Sequence, residues 1–268
     1  MTTRIPFLAS VLPEQGLYCV VGLKKGAPRQ TFVETIDEID GVVDGLLSQG
    51  YDAYFGCAKY MSEEDGRTAK NAKWFKSFWL DLDCGEGKPY ETQAAAVDAL
   101  KIFVQTSGVP RPTLINSGRG IHAYWPLRSP VTRKEWVSVA KRLKEMCVEH
   151  NLEADPSRTA DAASILRMPD TLNHKADPPL EVKVWVEGVT TTFEEFRDKL
   201  GVRRVLQPRL HRRENRGAVI QARADDEGKT EALVVACVER VDERKLLRGA
   251  LRESGLVLFL GGLGRQRF

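Results

Sequence analysis

The spacing of apolar positions changes several times along this chain, and each change marks an element. Residues 17–23 are mostly apolar and end at Lys24-Lys25-Gly26, which reads as a strand and a turn. Over residues 31–48 the spacing is helical. Phe32, Ile36, Ile39, Val43 and Leu46 or Leu47 fall on one face, and Gly50 follows as a stop. Residues 52–57 read as a second strand, and the polar stretch 61–73 as a surface loop. An apolar run leads into Phe78-Trp79-Leu80-Asp81-Leu82-Asp83. Residues 91–105 form an amphipathic helix with Ala95, Leu100, Phe103 and Val104 as core candidates. Short strands are predicted at 113–116 and 121–127, joined by Ser117-Gly118-Arg119-Gly120. A long helix follows at 132–150, a strand at 180–186 and a short helix at 192–200. Strands alternating with helices and adjacent hairpins predict an α/β sandwich with a mixed sheet.

After Leu200 the character shifts. Arg203, Arg204, Arg209, Arg212, Arg213 and Arg216 crowd a segment that also holds Pro208 and His211. The division expected is a catalytic-size domain over 1–200, a basic linker over 201–227 and a short helical or tail segment over 228–268. The linker is read as a solvated tether, with phosphate-backbone contact as the sharper alternative. The 268 residues carry a net charge of only +3, so bulk charge does not announce nucleic acid. Five cysteines stand singly, without a C-x-x-C pair, so neither a disulfide framework nor a zinc site is expected. The odd count and the lack of an apolar leader point to a reducing cytoplasm. No apolar run is long enough to span a membrane.

Three segments carry chemistry. Asp81 and Asp83 are i and i+2 on a strand, so they share a face with Cα atoms roughly 6.5–7 Å apart. Two like charges on a mostly buried strand are tolerable when something positive lies between them, and hard divalent cations with oxygen ligands are the usual solution. An acidic turn at the end of a strand is the plainer reading. The second segment is Ser117-Gly118-Arg119-Gly120-Ile121-His122. Its glycines let backbone N–H groups approach an anion, Ser117 adds a hydroxyl and Arg119 a guanidinium. A lone strand histidine is usually structural, but His122 faces the acids if its strand lies beside theirs. The third segment offers Asp155, Arg158, Asp161, Arg167, Asn173 and Lys175 in loop-like context. Asp155 before Pro156 also suits a helix cap. Taken together, acids at 81, 83 and 155 (or 161) would hold two metals. Ser117, Arg119 and His122 would hold a triphosphate, with Arg167 and Lys175 adding positive charge. That is a two-metal arrangement for nucleotidyl transfer.

These segments, in this order, resemble the archaeo-eukaryotic primase superfamily, in particular the primase-polymerases of phages and plasmids. Asp81 and Asp83 match its acidic strand, Ser117 and His122 its serine–histidine element, and Asp155 its third acid. Arg167-Met168-Pro169-Asp170-Thr171-Leu172-Asn173-His174-Lys175 is similar to an R-x-P-G-T-x-N-x-K signature, with Asp170 where a glycine is usual. The resemblance covers residues 15–200. It implies a two-layer mixed-sheet core with an RNA-recognition-motif-like half. It also implies a nucleotidyltransferase with DNA primase or DNA polymerase activity, two Mg²⁺ or Mn²⁺ ions, and nucleoside triphosphates (ribo or deoxyribo). Its partners would be a single-stranded DNA template and primer, with a replicative helicase as a further candidate. Asp81, Asp83, Asp155 and His122 would be catalytic. Ser117, Gly118, Arg119, Gly120, His122, Arg167, Lys175 and Lys88 would hold nucleotide. The alternatives are a catalytically weak primase-like initiator or DNA-binding module, and a metal-dependent nuclease. Among the tryptophans, Trp74 is the candidate for base stacking, and Trp136 and Trp185 are expected in the core.

Overall fold

A computed structural model describes residues 3–25 and 27–202, together with the backbone of Arg223–Ala224 and Thr230–Glu231. In chain order the first unit runs α1 (Arg4–Val11), β1 (Tyr18–Leu23), β2 (Arg29–Val33), α2 (Glu38–Ser48), β3 (Asp52–Gly56), β4 (Lys59–Tyr60) and β5 (Ala72–Leu82). It continues with α3 (Gln93–Ser107), β6 (Thr113–Asn116), β7 (Ile121–Thr132), α4 (Arg133–Glu149), α5 (Pro156–Thr159), β8 (Ile165–Arg167), β9 (Thr171–Asn173), β10 (Leu180–Val186) and α6 (Phe193–Lys199).

The described residues of this first unit form a mixed α+β fold with two sheets, in the orders β2-β1-β3-β8 and β4-β5-β7-β6-β10-β9. All the described ladders are antiparallel. The parallel component is confined to the isolated bridges Cys84–Tyr90 and Leu127–Thr191. The reason lies in the β5-α3-β6-β7 order. α3 carries the chain across from β5 to β6, which run the same way, and β7 then returns into the gap between them. The crossover unit is split, as in RNA-recognition-motif-like folds. That insertion brings two sequence-distant segments side by side.

Aromatic stacking holds α4 on this sheet. The Trp136 ring lies 4.4 Å from Phe75 and 4.8 Å from Trp79 between centroids. Its Nε1 donates to the Ser77 carbonyl at 2.9 Å. Trp136, Trp79, Phe75 and Phe78 are fully buried, and each stabilises by about 2–3 kcal/mol through area removed from water. Thr132 caps α4 with a reciprocal Glu135 contact, and Thr192 caps α6 with Glu195 in the same way.

Several sequence expectations differ from the fold. Residues 29–33 are a strand, with Thr31 opposite Val20, and the helix begins at Glu38. Phe32 packs edge-on against Tyr60, so its apparent helical spacing with Ile36 is accidental. Ala95 is exposed and Ala96 points inward. Trp185 is 45% exposed, because the ladder shifts register between Val184 and Val186 and the extra residue turns outward. The loop 61–70 is largely exposed, and β5 starts at Ala72. Asn71 pins that loop by accepting from the Met61 and Ser62 amides and donating to the Ser62 and Gly66 carbonyls. The third segment, expected as loop, contains β8 and β9. Three-residue strands are too short to show a period, and β8 pairs with β3, more than a hundred residues earlier. The basic stretch and the glycine-rich ending lie outside the described residues. Within the region expected as helical, Thr230–Glu231 instead pairs with Arg223–Ala224 as a two-residue strand.

Candidate active site

Asp81 and His122 are direct register partners on β5 and β7, so their side chains share one face. His122 Nε2 lies 3.7 Å from Asp81 Oδ1. That is too long for a hydrogen bond. It is not an ion pair either: burial, then the nearby Arg167 charge, pushes the imidazole down to about 3, so His122 is neutral at physiological pH. Its Nδ1 is buried and has no hydrogen-bond partner among the described residues. Asp81 moves the other way. Burial, then repulsion from Asp83 and Asp155, pushes its carboxyl up to about 7, against the smaller pull of Arg158 and Lys88. The strand pair thus presents a neutral histidine beside a carboxylate whose charge is poorly tolerated.

Asp83 lies just beyond the end of β5 and accepts from Lys88 Nζ at 2.8 Å. Asp155 reaches the same region by backbone, its amide donating to the Asp81 carbonyl at 2.8 Å. Its carboxylate caps α5 through the Ser157 amide and lies 3.8 Å from Arg158 Nε. Asp161 faces elsewhere and closes a turn by accepting from the Ala163 amide and the Ser164 hydroxyl. Of the two alternatives, Asp155 is the one next to Asp81.

The Ser117–Gly120 turn is built differently from expectation. The Gly118 amide donates to Asn116 Oδ1 and the Gly120 amide to Ser117 Oγ. Both glycine N–H groups are therefore engaged inside the turn and are not free for an anion. Packing explains these glycines. A Cβ at Gly120 would sit 2.4 Å from the Leu82 carbonyl oxygen, and Gly118 has φ +90° with Asn173 against it. Asn173 Nδ2 in turn donates to the Ser117 carbonyl, tying β9 to the turn.

A cavity of about 200 Å³ opens between the two sheets. Asp81, Asp83 and His122 lie on its wall with Ser117, Gly120 and five cationic side chains: Lys88, Arg119, Arg158, Arg167 and Lys175. Five cations against two carboxylates leave the wall with an excess of positive charge, which in kind suits an anion. Gly118, Asp155 and Asp161 do not line it. Tyr54 and Asn173 do, and Asp52 bonds to Arg167 directly behind the wall. Asn173 belongs to the third segment offered from sequence, whereas Asp52 and Tyr54 were not assigned. The available signal was an acid at the head of the otherwise apolar run Asp52-Ala53-Tyr54-Phe55. Trp74 is half-buried, pairs with Lys59 across the strands and does not line the cavity.

Oxygen ligands from Asp81, Asp83 and Asp155 suit Mg²⁺ or Mn²⁺ in kind, and a cation there would relieve the repulsion that burdens Asp81. Among the described residues, no three acidic, histidine or cysteine side chains are gathered closely enough to form a preassembled metal centre. Lys88 occupies Asp83 in its place.

No family model matches the chain, and no curated protein does. Solved structures do. The AEP domain of the cyanophage S-2L primase-polymerase matches with TM-score 0.51 and 14% identity, over 69% of this chain and 89% of that one. The primase RepB′ matches with TM-score 0.47 and 14% identity, over 74% of this chain and 61% of that one. Its catalytic domain with initiator DNA matches with TM-score 0.45 and 14% identity, over 69% and 85%. The chain has the fold of an archaeo-eukaryotic primase-polymerase core.

Proposed function

From this primase-polymerase fold, we propose that the chain is a DNA-templated nucleotidyltransferase, a primase or polymerase acting on nucleoside triphosphates in phage or plasmid replication. The observation that carries the reading is Asp81 standing opposite His122 in a cavity whose wall also holds five cationic side chains. Residues 1–200 form the catalytic domain in this reading, with 201–227 as a basic linker and 228–268 as a short ending.

Asp81, Asp83 and Asp155 hold divalent cations. When bound, Mg²⁺ or Mn²⁺ neutralises charge at the reacting phosphate and lowers the pKa of the attacking hydroxyl. Arg119, Arg167 and Lys175 bind the triphosphate by charge, and the Ser117 hydroxyl donates to it. His122 is neutral, so one ring nitrogen donates a hydrogen bond to a phosphate oxygen without adding a charge that would compete with the cations. Lys88 pairs with Asp83, and with a cation held by Asp83 its ammonium would be available to a phosphate. Template and primer are single-stranded DNA, with a replicative helicase as a further candidate partner.

The test is incorporation of labelled nucleotide on a primed or unprimed single-stranded template with Mn²⁺ or Mg²⁺. Asp81→Ala and Asp83→Ala should each lower incorporation at least a hundredfold while the chain stays folded. Full activity in either variant sinks the reading. The second reading, a catalytically weak initiator that binds DNA, is favoured by the Lys88–Asp83 pair and the absence of a gathered ligand set among the described residues. DNA binding with no incorporation at any metal concentration would select it.

A further inference from the structure

Asp52 heads β3, is 9% exposed and takes no part in the chemistry above. One carboxylate oxygen accepts from Arg167 Nη1 at 3.1 Å. The other accepts from the His174 amide at 3.2 Å and lies 2.7 Å from His174 Nδ1. The Arg167 guanidinium also lies over the Tyr54 ring, 4.9 Å from its centroid. Tyr54 is its register partner across the β3–β8 ladder. Arg167 is thus held by a ring and a carboxylate from the same strand. Its Nη2 is buried and has no partner among the described residues. Arginine–carboxylate pairs are often bidentate, with two N–H groups on two oxygens, the stronger geometry. Here the carboxylate is divided between Arg167 and His174, and one guanidinium nitrogen is spare beside the cavity that Arg167 lines.

We propose that Asp52 is a positioning residue: it fixes Arg167 so that the spare Nη2 meets a phosphate of the bound nucleotide. This rests on the nucleotide-polymerising reading above. Asp52 does not line the cavity, so its effect on binding passes through a neighbour: through Arg167 in this proposal, and not through His174 and the adjoining Lys175.

The experiment is a double-mutant cycle on the full chain with Asp52→Asn, Arg167→Ala and both together. Affinity is read by calorimetry for inorganic tripolyphosphate and for a nucleoside triphosphate, with Tm measured in parallel. Each single variant should bind tripolyphosphate about tenfold more weakly, the scale of one charge-assisted hydrogen bond. The double variant should bind no more weakly than Arg167→Ala alone. Losses that multiply, or an Asp52→Asn that lowers Tm and leaves affinity unchanged, would overturn the proposal and leave Asp52 as a strand joint. Asp52→Glu keeps the buried charge that neutralises Arg167 and serves as the second variant, under the same expectation and the same overturning result. A wild-type chain that binds neither probe overturns the nucleotide reading and this proposal together. Binding by wild type with an indifferent Asp52 overturns this proposal alone.

Discussion

At Asp81 the proposed cation binding and the stability of the fold pull in opposite directions. Its carboxyl has an ordinary value of 3.8 and is pushed up to about 7 by burial and by Asp83 and Asp155. The folded chain therefore holds this proton more tightly than the unfolded chain does. Between those two values, stability falls as pH rises, and above pH 7 the full cost of the buried charge is present. Asp81→Asn removes the charge and keeps the shape. It should raise the stability of the metal-free chain at pH 8, by an amount on the order of a few kcal/mol. At pH 4 it should change little. Urea midpoints at the two pH values check this, and an equal effect at both would show that Asp81 carries no such burden. Such an exchange of stability for a charged group in a cleft is typical of functional positions.

At the level of elements, the departure at Asp170 shows how one substitution is absorbed. Asp170 sits at φ +58°, the left-handed region where a glycine is easiest and where aspartate is better tolerated than most residues. Its carboxylate accepts from the Thr3 amide at 2.7 Å, the Thr3 hydroxyl at 3.0 Å and the Arg4 amide at 2.8 Å. The side chain that a glycine lacks thus satisfies the first amides of α1 and sits at the favourable end of its dipole. Arg4 answers by donating to the Pro169 and Asp170 carbonyls. Asp170→Ala removes the cap and keeps the backbone strain, and should cost about 1–3 kcal/mol. Asp170→Gly removes the cap but relieves the strain, and should cost less. Denaturant unfolding of the two variants checks the order, and a larger loss for glycine would contradict it. The helices α3, α4 and α6 were legible because their caps and apolar spacing are local. The α1 helix was not, since its first amides are capped from a position more than 160 residues away.

Across the whole unit, one carboxylate joins the two sheets near the cavity. Asp52 in the four-stranded sheet bonds Arg167 on β8 and also the backbone and ring of His174, just past β9 of the six-stranded sheet. Burial alone would raise its carboxyl, but the bonds from His174 and Arg167 outweigh burial and hold it below its ordinary 3.8. Stability from this carboxylate is present above that value and is lost as pH falls through the lower folded value. Acid unfolding of the wild type should therefore steepen below about pH 4. Asp52→Asn should be less stable at pH 7 and should show a shallower acid limb, read by circular dichroism against pH. Parallel limbs in the two proteins would mean that this joint contributes nothing to acid stability.

Much of the site could be read from the chain itself. An acid pair at the end of an apolar strand, a cation-bearing turn and an arginine- and lysine-bearing third segment are local patterns, and charge conflict on a buried strand is evident without coordinates. Those patterns determined the strand carrying Asp81, the main helices and the mixture of acids and cations on the cavity wall. Tertiary structure alone decided which of them meet. β7 returns between β5 and β6 and sets His122 opposite Asp81, and a backbone bond brings Asp155 rather than Asp161 to the acids. Close strand approach, rather than anion contact, accounts for Gly120. Asp52 and Tyr54 enter because β3 pairs with a strand too short to announce itself. Each of these depends on contacts between residues about forty to more than a hundred apart, and no local period records such a contact.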